Sequence, residues 1–527
     1  MKPDPRTAED QPYSDPVAYG NGPGDNVTDT AEAAAVTHHR AQVGGRSFAY
    51  TAAAGHLVTV DPSSSKPNAK MFYVAFTEDG ADRDTRPVTF FYNGGPGSSS
   101  VYVLLGSFAP RRLRTSLPNF TPPAPYTLED NPDSLIDRSD LVFVNPVGTG
   151  YSAAVAPNVN KDFWGVDQDA SSIAQFIKRY LTVNDRWNSP KYLFGESYGT
   201  ARTAVLSYRL HEDGVDLNGV TLQSSILDYS QAGNPIGLLP TWAAVAWYHH
   251  RTGVVPPPPD LGLWTSEAAQ FADGDYARAL AAFPNADPAA VRRLSEITGI
   301  SETVLTSWSL NVAAAGPQGT SAFLTTLLAG QGLAIGSYDG RATGIGTGIA
   351  AWIDPNSGGN DPTMTAVNGA YTAMWNTYLN DELKFTSGSA FTDLNDQTFK
   401  NWDFHHIDPT GAQKGISPEG QVILYTAGDL AATMSLNVDL KVLSANGYYD
   451  SVTPFHQTSL DLRNMPLEAP QVRANLTVKN YPSGHMIYLD GGSRTALKAD
   501  LARLYDHTTA DHAAMSRIRA LQRRAKT

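Results

Sequence analysis

The feature that most constrains the fold is the pentapeptide Gly195-Glu196-Ser197-Tyr198-Gly199. It follows the short apolar run Tyr192-Leu193-Phe194 and precedes a helical pattern from about Tyr198 to Leu210. A G-x-S-x-G motif between a strand and a helix puts its serine on a sharp turn, with the hydroxyl lifted clear of the sheet. The motif therefore predicts a nucleophilic serine at the end of a buried strand.

The rest of the chain predicts a sheet around this strand. Strand-like runs follow one another from about residue 46 to 93, which is typical of an antiparallel meander. Beyond them, short apolar strands alternate with helical patterns such as residues 166–183, the rhythm of an α/β sheet. Between about residues 235 and 408 that rhythm is lost and helical patterns dominate. We therefore expect an α/β-hydrolase fold with a mixed, mostly parallel central sheet and an inserted, mostly helical cap.

These patterns divide the chain. Residues 1–40, poor in large apolar side chains, are predicted to form a mobile arm. Residues 41–234 and 409–515 are predicted to form the core, residues 235–408 the inserted cap, and residues 516–527 a basic tail.

A serine hydroxyl needs a base, and the base needs a carboxylate that orients it. In α/β-hydrolases these follow the serine in the order Asp or Glu, then His. His485 follows a late predicted strand in a glycine-bearing loop, and Asp450 follows the predicted strand at residues 440–444. The sequence therefore predicts a triad of Ser197, Asp450 and His485.

A glycine pair follows the predicted strand Val88–Tyr92, in the run Asn93-Gly94-Gly95-Pro96-Gly97. Glycines at a strand end let backbone N–H groups point into a cleft, which suits an oxyanion hole.

Together these motifs resemble the serine carboxypeptidases, α/β-hydrolases that remove C-terminal amino acids from peptides. The matching pieces are FFYNGGPGSSS, the segment from Asn131 through FVNPVGTGYS, GESYG, NGYYD and SGHMIYLD. They occur in the family's order over about residues 46–230 and 410–500, and the cap shows no such match.

The resemblance assigns roles to individual residues. It implies that Ser197 is the nucleophile, His485 the base and then acid, Asp450 its orienting carboxylate, and the N–H groups of Gly95 and Tyr198 the oxyanion hole. It further implies that Asn93, Gly94, Glu196 and Met486 form the substrate-binding residues, with Asn93 and Glu196 holding the C-terminal carboxylate and Met486 bordering the leaving-residue pocket. Two carboxyl groups repel unless one is protonated, so Glu196 predicts activity at acidic pH.

The sequence departs from the family's pattern at three positions. Phe91 stands where the family has tryptophan, Ser98 where it has cysteine, and Ser107 where its E-x-G-P segment has a glutamate that would pair with Glu196. These changes weaken the expectation of strict exopeptidase specificity and of a very acidic optimum. The arginines at residues 111, 112 and 114 are candidates to offset the loss.

Composition excludes several other functions. A net charge of −13 argues against nucleic-acid and anionic-membrane partners, and the absence of cysteine excludes thiolate catalysis and cysteine-based metal sites. No histidine motif supports a metal, so no cofactor is expected and the expected partners are peptides with a free C-terminus. The N-terminus contains no apolar signal-peptide core, and both a cytoplasmic location and secretion after trimming remain open. The sequence leaves the oligomeric state open.

The same triad also serves esterases and acyltransferases, so the sequence leaves these as alternative activities. A binding protein with a dead site would lack a triad member, and none is missing.

Overall fold

The computed structural model describes residues 9–256, 258–316, 320–347, 360–412, 414–416, 420 and 422–506. The strands are β1 Tyr13–Asp15, β2 Ala34–Val43, β3 Arg46–Val60, β4 Pro67–Glu78, β5 Val88–Tyr92, β6 Arg111–Leu113, β7 Leu128–Asp130, β8 Asp140–Val144, β9 Ala153–Ala154, β10 Lys191–Glu196, β11 Gly219–Gln223, β12 Leu333–Ile335, β13 Thr343–Ile345, β14 Phe385–Ser387, β15 Lys441–Gly447 and β16 Leu476–Tyr481.

The α-helices are α1 Val101–Val103, α2 Val166–Val183, α3 Tyr198–Glu212, α4 Pro235–Tyr248, α5 Leu261–Phe271, α6 Ala277–Ala282, α7 Pro288–Thr298, α8 Glu302–Ser307, α9 Ala322–Thr326, α10 Pro362–Asp381, α11 Asp396–Lys400, α12 Ala427–Leu436, α13 Phe455–Asn464 and α14 Pro470–Arg473. Residues 491–506 are also helical. No helix in the described ranges combines the length and apolar character needed to cross a membrane.

The central sheet has the strand order β16-β15-β11-β10-β5-β8-β4-β3-β2, and β9 pairs with β4. The pairings from β16 to β8 are parallel, and those from β8 to β2 are antiparallel. The expected α/β-hydrolase fold with a mixed sheet is confirmed. Of the antiparallel meander predicted from about residue 46, β3 and β4 are present, with two of the expected runs joined in the single long strand β3, and β2 adds a strand outside the predicted range.

Helices cover both faces of the sheet, as the side-chain alternation of its buried strands requires. On one face, Phe90 and Tyr92 of β5 pack with α2, α3 and α12. On the other face, Phe91 packs with α10 and the helix at residues 491–506. The helix predicted for residues 166–183 has these bounds in the structure, and its apolar stripe faces the sheet.

The prediction of a mobile arm is wrong for residues 9–40. Strand β1 pairs with β14, and β2 is the edge strand of the central sheet. The Tyr19 ring stacks on His56 at 5.3 Å between centroids, and its hydroxyl donates to Asp15 at 2.8 Å. A few aromatic side chains and backbone pairing suffice to bind this segment, which composition alone cannot indicate.

The inserted segment divides between two cores. Helices α4 to α9 surround their own apolar cluster, which contains Trp242 and Phe323 stacked at 4.3 Å. By contrast, α10 and β14 bury Tyr371, Trp375 and Phe385 in the core of the central sheet. The predicted cap at residues 235–408 is therefore helical in its first part, whereas its second part packs as a layer of the core. The predicted basic tail lies outside the described residues.

A buried ion pair joins α2 to α3. Arg202 donates to Asp169 at 2.5 Å and to the Asn93 carbonyl at 2.6 Å, and both charged side chains are almost fully buried. The Arg202 guanidinium also lies over the ring of Tyr92. This pair therefore fixes the loop after β5 against two helices.

We predict that Asp169→Ala lowers the free energy of unfolding by about 3–5 kcal/mol, because it leaves the Arg202 charge buried without a partner. Asp213→Ala, which breaks the half-exposed pair with Lys178, should cost less than about 1 kcal/mol. Denaturant unfolding of both variants tests this. Equal losses would show that the buried pair has no special weight.

Candidate active site

The candidate site lies where parallel strands end side by side. Strands β5, β10, β11 and β15 are consecutive neighbours in the sheet, and all of them are parallel. Their carboxyl ends therefore share one edge, where ligands bind in open α/β sheets. The loops after β5, β10 and β15 carry Asn93, Ser197 and Asp450 to that edge.

Ser197 occupies a strained turn between β10 and α3. Its backbone has φ 61° and ψ −130°, a combination that residues other than glycine rarely adopt. Glycine is required at position 195, since a Cβ atom there would lie 2.2 Å from the Gly199 oxygen, and space is tight at position 199, where a Cβ atom would lie 3.2 Å from the Tyr92 oxygen. The Ser197 side chain is half-buried, so its hydroxyl is available to a ligand.

Asp450 and His485 form a buried hydrogen-bonded pair. The Asp450 carboxylate accepts from His485 Nδ1 at 2.8 Å. It also accepts from the Thr453 hydroxyl at 2.5 Å and from the backbone N–H groups of Val452 and Thr453 at 2.9 and 3.0 Å. These donors hold the carboxylate in one orientation and leave the far nitrogen of His485 for the substrate side.

Burial disfavours the charged His485 ring, but the charge and hydrogen bond of Asp450 outweigh it and raise the pKa of His485 above 6.5. The backbone of His485 is held from both sides. Its N–H donates to the Tyr338 carbonyl at 2.6 Å, and its carbonyl accepts from the Ser224 hydroxyl at 2.6 Å. Tyr338 lies in the inserted segment, which therefore contributes to the positioning of His485.

The end of β11 holds Ser197 close to the His485 loop. Its N–H donates to the Gln223 carbonyl at 3.0 Å, and the next residue, Ser224, holds His485. Within the described residues the Ser197 hydroxyl makes no hydrogen bond to His485. Such contacts commonly tighten only when substrate binds.

The predicted oxyanion residues lie beside the serine. Tyr198 is the first residue of α3, so its N–H has no acceptor within the helix. Gly94 packs against it so closely that a Cβ atom would lie 2.5 Å from the Tyr198 nitrogen. Gly95 follows with φ 104°, a conformation that favours glycine.

Glu196 is a buried carboxyl group beside the nucleophile. It accepts from Asn93 Nδ2 at 2.8 Å and from Gln223 Nε2 at 2.6 Å. Burial is the main cause that raises its pKa to about 7, although His485, Tyr488 and Asn93 act in the opposite direction. The group is therefore largely neutral below about pH 7, as recognition of another carboxylate requires.

The three residues that depart from the family's pattern make other contacts in the structure. Phe91 is stacked between Phe143 and Phe194 in the core, and Ser98 forms a single bridge with Leu394. The Ser107 hydroxyl donates to the Val103 carbonyl.

The arginines considered as a replacement pair with acidic side chains elsewhere. Arg111 contacts Asp130 and Glu382, whereas Arg112 and Arg114 contact Glu129.

Sequence reasoning missed several residues of the site, namely Gln223, Ser224, Tyr338, Thr453 and Tyr488. Gln223 was accessible in principle, because it is the register partner of Glu196 in the neighbouring strand. Tyr338 carried no motif, since tertiary packing alone brings it to the site, whereas Tyr488 lies within the matching piece SGHMIYLD but had no role assigned to it. Met486 is buried in the loop after His485. Among the described residues, no cluster of metal-ligating side chains occurs.

Residues 45–249 match the family model for serine carboxypeptidases. This part of the chain, about two fifths of its length, is therefore similar to the serine carboxypeptidases. The serine carboxypeptidase S10 family member 1 of Dictyostelium discoideum is 25% identical over 177 residues, 32% of this chain and 39% of that protein. The lysosomal protective protein of Mus musculus is 25% identical over 236 residues, 44% of either chain. The alignments thus span less than half the length of these relatives.

A solved carboxypeptidase shows the same fold. The crystal structure of KEX1(delta)p, a prohormone-processing carboxypeptidase from Saccharomyces cerevisiae, superposes with a TM-score of 0.51 at 14% identity. The superposition covers 88% of this chain and 91% of that one, so the shared fold extends well beyond the segment that the family model matches.

We predict that Asp450→Asn lowers kcat about 10⁴-fold, because the base loses its orientation and its raised pKa. His485→Ala should cost more, about 10⁶-fold, because the base itself is removed. Turnover of an ester substrate measures both.

Asp461→Asn is the matched control, since it removes a buried carboxylate that contacts Gln457 instead. It should leave turnover near the native value. Native activity in Asp450→Asn would remove Asp450 from the site.

Proposed function

We propose that this protein is a serine-type carboxypeptidase that hydrolyses C-terminal residues from peptides through an acyl-enzyme on Ser197. The observation that carries the proposal is the carboxyl group of Glu196, which is buried immediately before the candidate nucleophile and accepts hydrogen bonds from two side-chain amides. A general esterase has no use for such a group at that position. The family match and the Ser197, Asp450 and His485 arrangement support the same conclusion.

In the proposed reaction the Ser197 oxygen attacks the scissile carbonyl carbon while His485 takes the hydroxyl proton. The N–H groups of Gly95 and Tyr198 stabilise the negative oxygen of the tetrahedral intermediate. The C–N bond then breaks, and His485 gives its proton to the departing amine. Water, activated by the same histidine, hydrolyses the Ser197 ester and restores the enzyme.

The carboxylate of the substrate would be recognised by Glu196 and Asn93. Neutral Glu196 can donate a hydrogen bond to the incoming carboxylate, whereas ionised Glu196 repels it. The side-chain nitrogen of Asn93 donates a hydrogen bond to Glu196. The side-chain oxygen of Asn93 accepts from the Val103 N–H at 3.1 Å, which fixes the orientation of the amide. The pair would therefore select peptides with a free C-terminus.

We predict that Ser197→Ala lowers the turnover of a blocked dipeptide by about 10⁴- to 10⁶-fold while the unfolding transition stays close to native. The substrates are the dipeptide with a free carboxylate, its C-terminal amide and its ester twin. The native enzyme should prefer the free carboxylate over the amide. Turnover of the ester alone would assign an esterase, and retention of a tenth of the activity in Ser197→Ala would exclude this nucleophile.

The pH dependence follows from the two pKa values. Because the pKa of Glu196 is about 7, the peptide KM should rise with pH through about 7 as the carboxyl group ionises. Ester turnover depends instead on neutral His485 and should increase through its raised pKa. Peptide hydrolysis is therefore expected to peak near neutrality rather than at strongly acidic pH.

Glu196→Gln keeps a hydrogen-bond donor and removes the charge, so it should flatten the rise in peptide KM at alkaline pH and affect the ester much less. The measurement is KM against pH from about 4 to 9 for both substrates and both proteins. Identical profiles of peptide and ester in the native protein would contradict the role of Glu196.

A further inference from the structure

Two buried tyrosine hydroxyls near Glu196 have no hydrogen-bond partner among the described residues. They belong to Tyr371 of α10 and Tyr488 of the loop after His485, and both side chains are fully buried. Native proteins leave few buried polar atoms unpaired, and those that remain ask for an explanation.

The Tyr488 phenol faces the carboxylate-recognition pair. Glu196, Tyr371 and Asn93 are the neighbours that act on its hydroxyl. Glu196 accepts only two amide hydrogen bonds, one on each oxygen, and a carboxylate has about four acceptor positions. A phenol O–H next to this group therefore has a free acceptor available.

Gly106 provides the space for both rings. A Cβ atom at this position would lie 2.3 Å from the Tyr371 hydroxyl oxygen and 2.5 Å from the Tyr488 ring. Tyr371 is held in turn by Tyr102, whose ring lies 4.6 Å away and whose hydroxyl donates to Asn368 of the same helix. The packing thus places Tyr371 beside the Tyr488 ring, whose hydroxyl interacts with Glu196.

We propose that Tyr488 is a positioning residue that donates its phenol hydrogen to Glu196, and that Tyr371 holds the phenol in place. Helix α10 of the inserted segment would thereby help to orient the carboxyl group that recognises the substrate C-terminus. The substrate part of this inference rests on the proposed carboxypeptidase function, whereas the contact between Tyr488 and Glu196 does not.

The donated hydrogen bond favours ionised Glu196, so loss of the phenol should raise the pKa of Glu196 further. Several other ionisable groups act on or near Glu196: His485, Asp450, Tyr338 and Tyr371. The experiment therefore changes one hydroxyl and keeps all of these groups.

The test compares Tyr488→Phe with the native protein, and Tyr276→Phe is the matched control. Tyr276 is also buried, but its hydroxyl donates to the Leu310 carbonyl in the separate cluster of the inserted segment. In Tyr488→Phe, the pH at which the peptide KM rises should move upward by about one unit. The control should keep the native pH midpoint.

A second readout does not depend on peptide cleavage. The carboxyl ¹³C resonance of Glu196, identified by its absence in Glu196→Gln, is titrated in the Ser197→Ala background with and without Tyr488→Phe. An upward shift of its midpoint supports the contact even if only esters are hydrolysed, which would refute the proposed function alone.

An unchanged Glu196 midpoint overturns the inference. It is also overturned if Tyr488→Phe reduces ester and peptide turnover equally without a shift of midpoint, because that result assigns a merely structural role to Tyr488.

Discussion

The left-handed backbone of Ser197 is the constraint on which the rest of the site depends. A strand that turns into a helix within one residue leaves no volume for side chains around it, which explains the glycines at positions 195 and 199 and the close approach of Gly94. Such strain persists only where the surroundings over-determine it. Here the surroundings are the parallel neighbours β5 and β11 and the buried Arg202, which ties the loop after β5 to α2 and α3.

The same turn sets the electrostatics of the site. Because Ser197 must follow the strand directly, Glu196 is the last strand residue and its side chain is buried beside the sheet edge. Burial there raises the pKa of Glu196 to about 7, while a second carboxyl group, that of Asp450, accepts hydrogen bonds from four donors and orients a histidine. The two acidic side chains thus have different surroundings, since Glu196 accepts from two side-chain amides and Asp450 accepts from a histidine, a hydroxyl and two backbone N–H groups.

Local sequence patterns were enough to predict most of the core of this fold. Strand β5 and helix α2 have the predicted bounds because their residues combine apolar periodicity with clear ends. Asp450 and His485 could be predicted because each follows a predicted strand and the order Ser, Asp, His can be read along the chain. Tyr338 and Tyr371 could not be, since their relation to the site depends on how the inserted segment folds back over the sheet, and the role of Tyr488 depends on the packing of Tyr371 beside it. Residues 9–40 were misjudged because their composition reveals neither the hairpin of β2 with β3 nor the partner of β1, which lies far away in sequence.

That distance has a consequence for the order of assembly. Strand β1 pairs with β14, and the backbone of Tyr19 binds Ser389, 370 positions further along the chain. A chain that emerges from the ribosome N-terminus first must keep its first strand unpaired until most of the protein has been synthesised. Closing so long a loop costs conformational entropy that only the finished core can offset, so β1 is expected to dock late in folding.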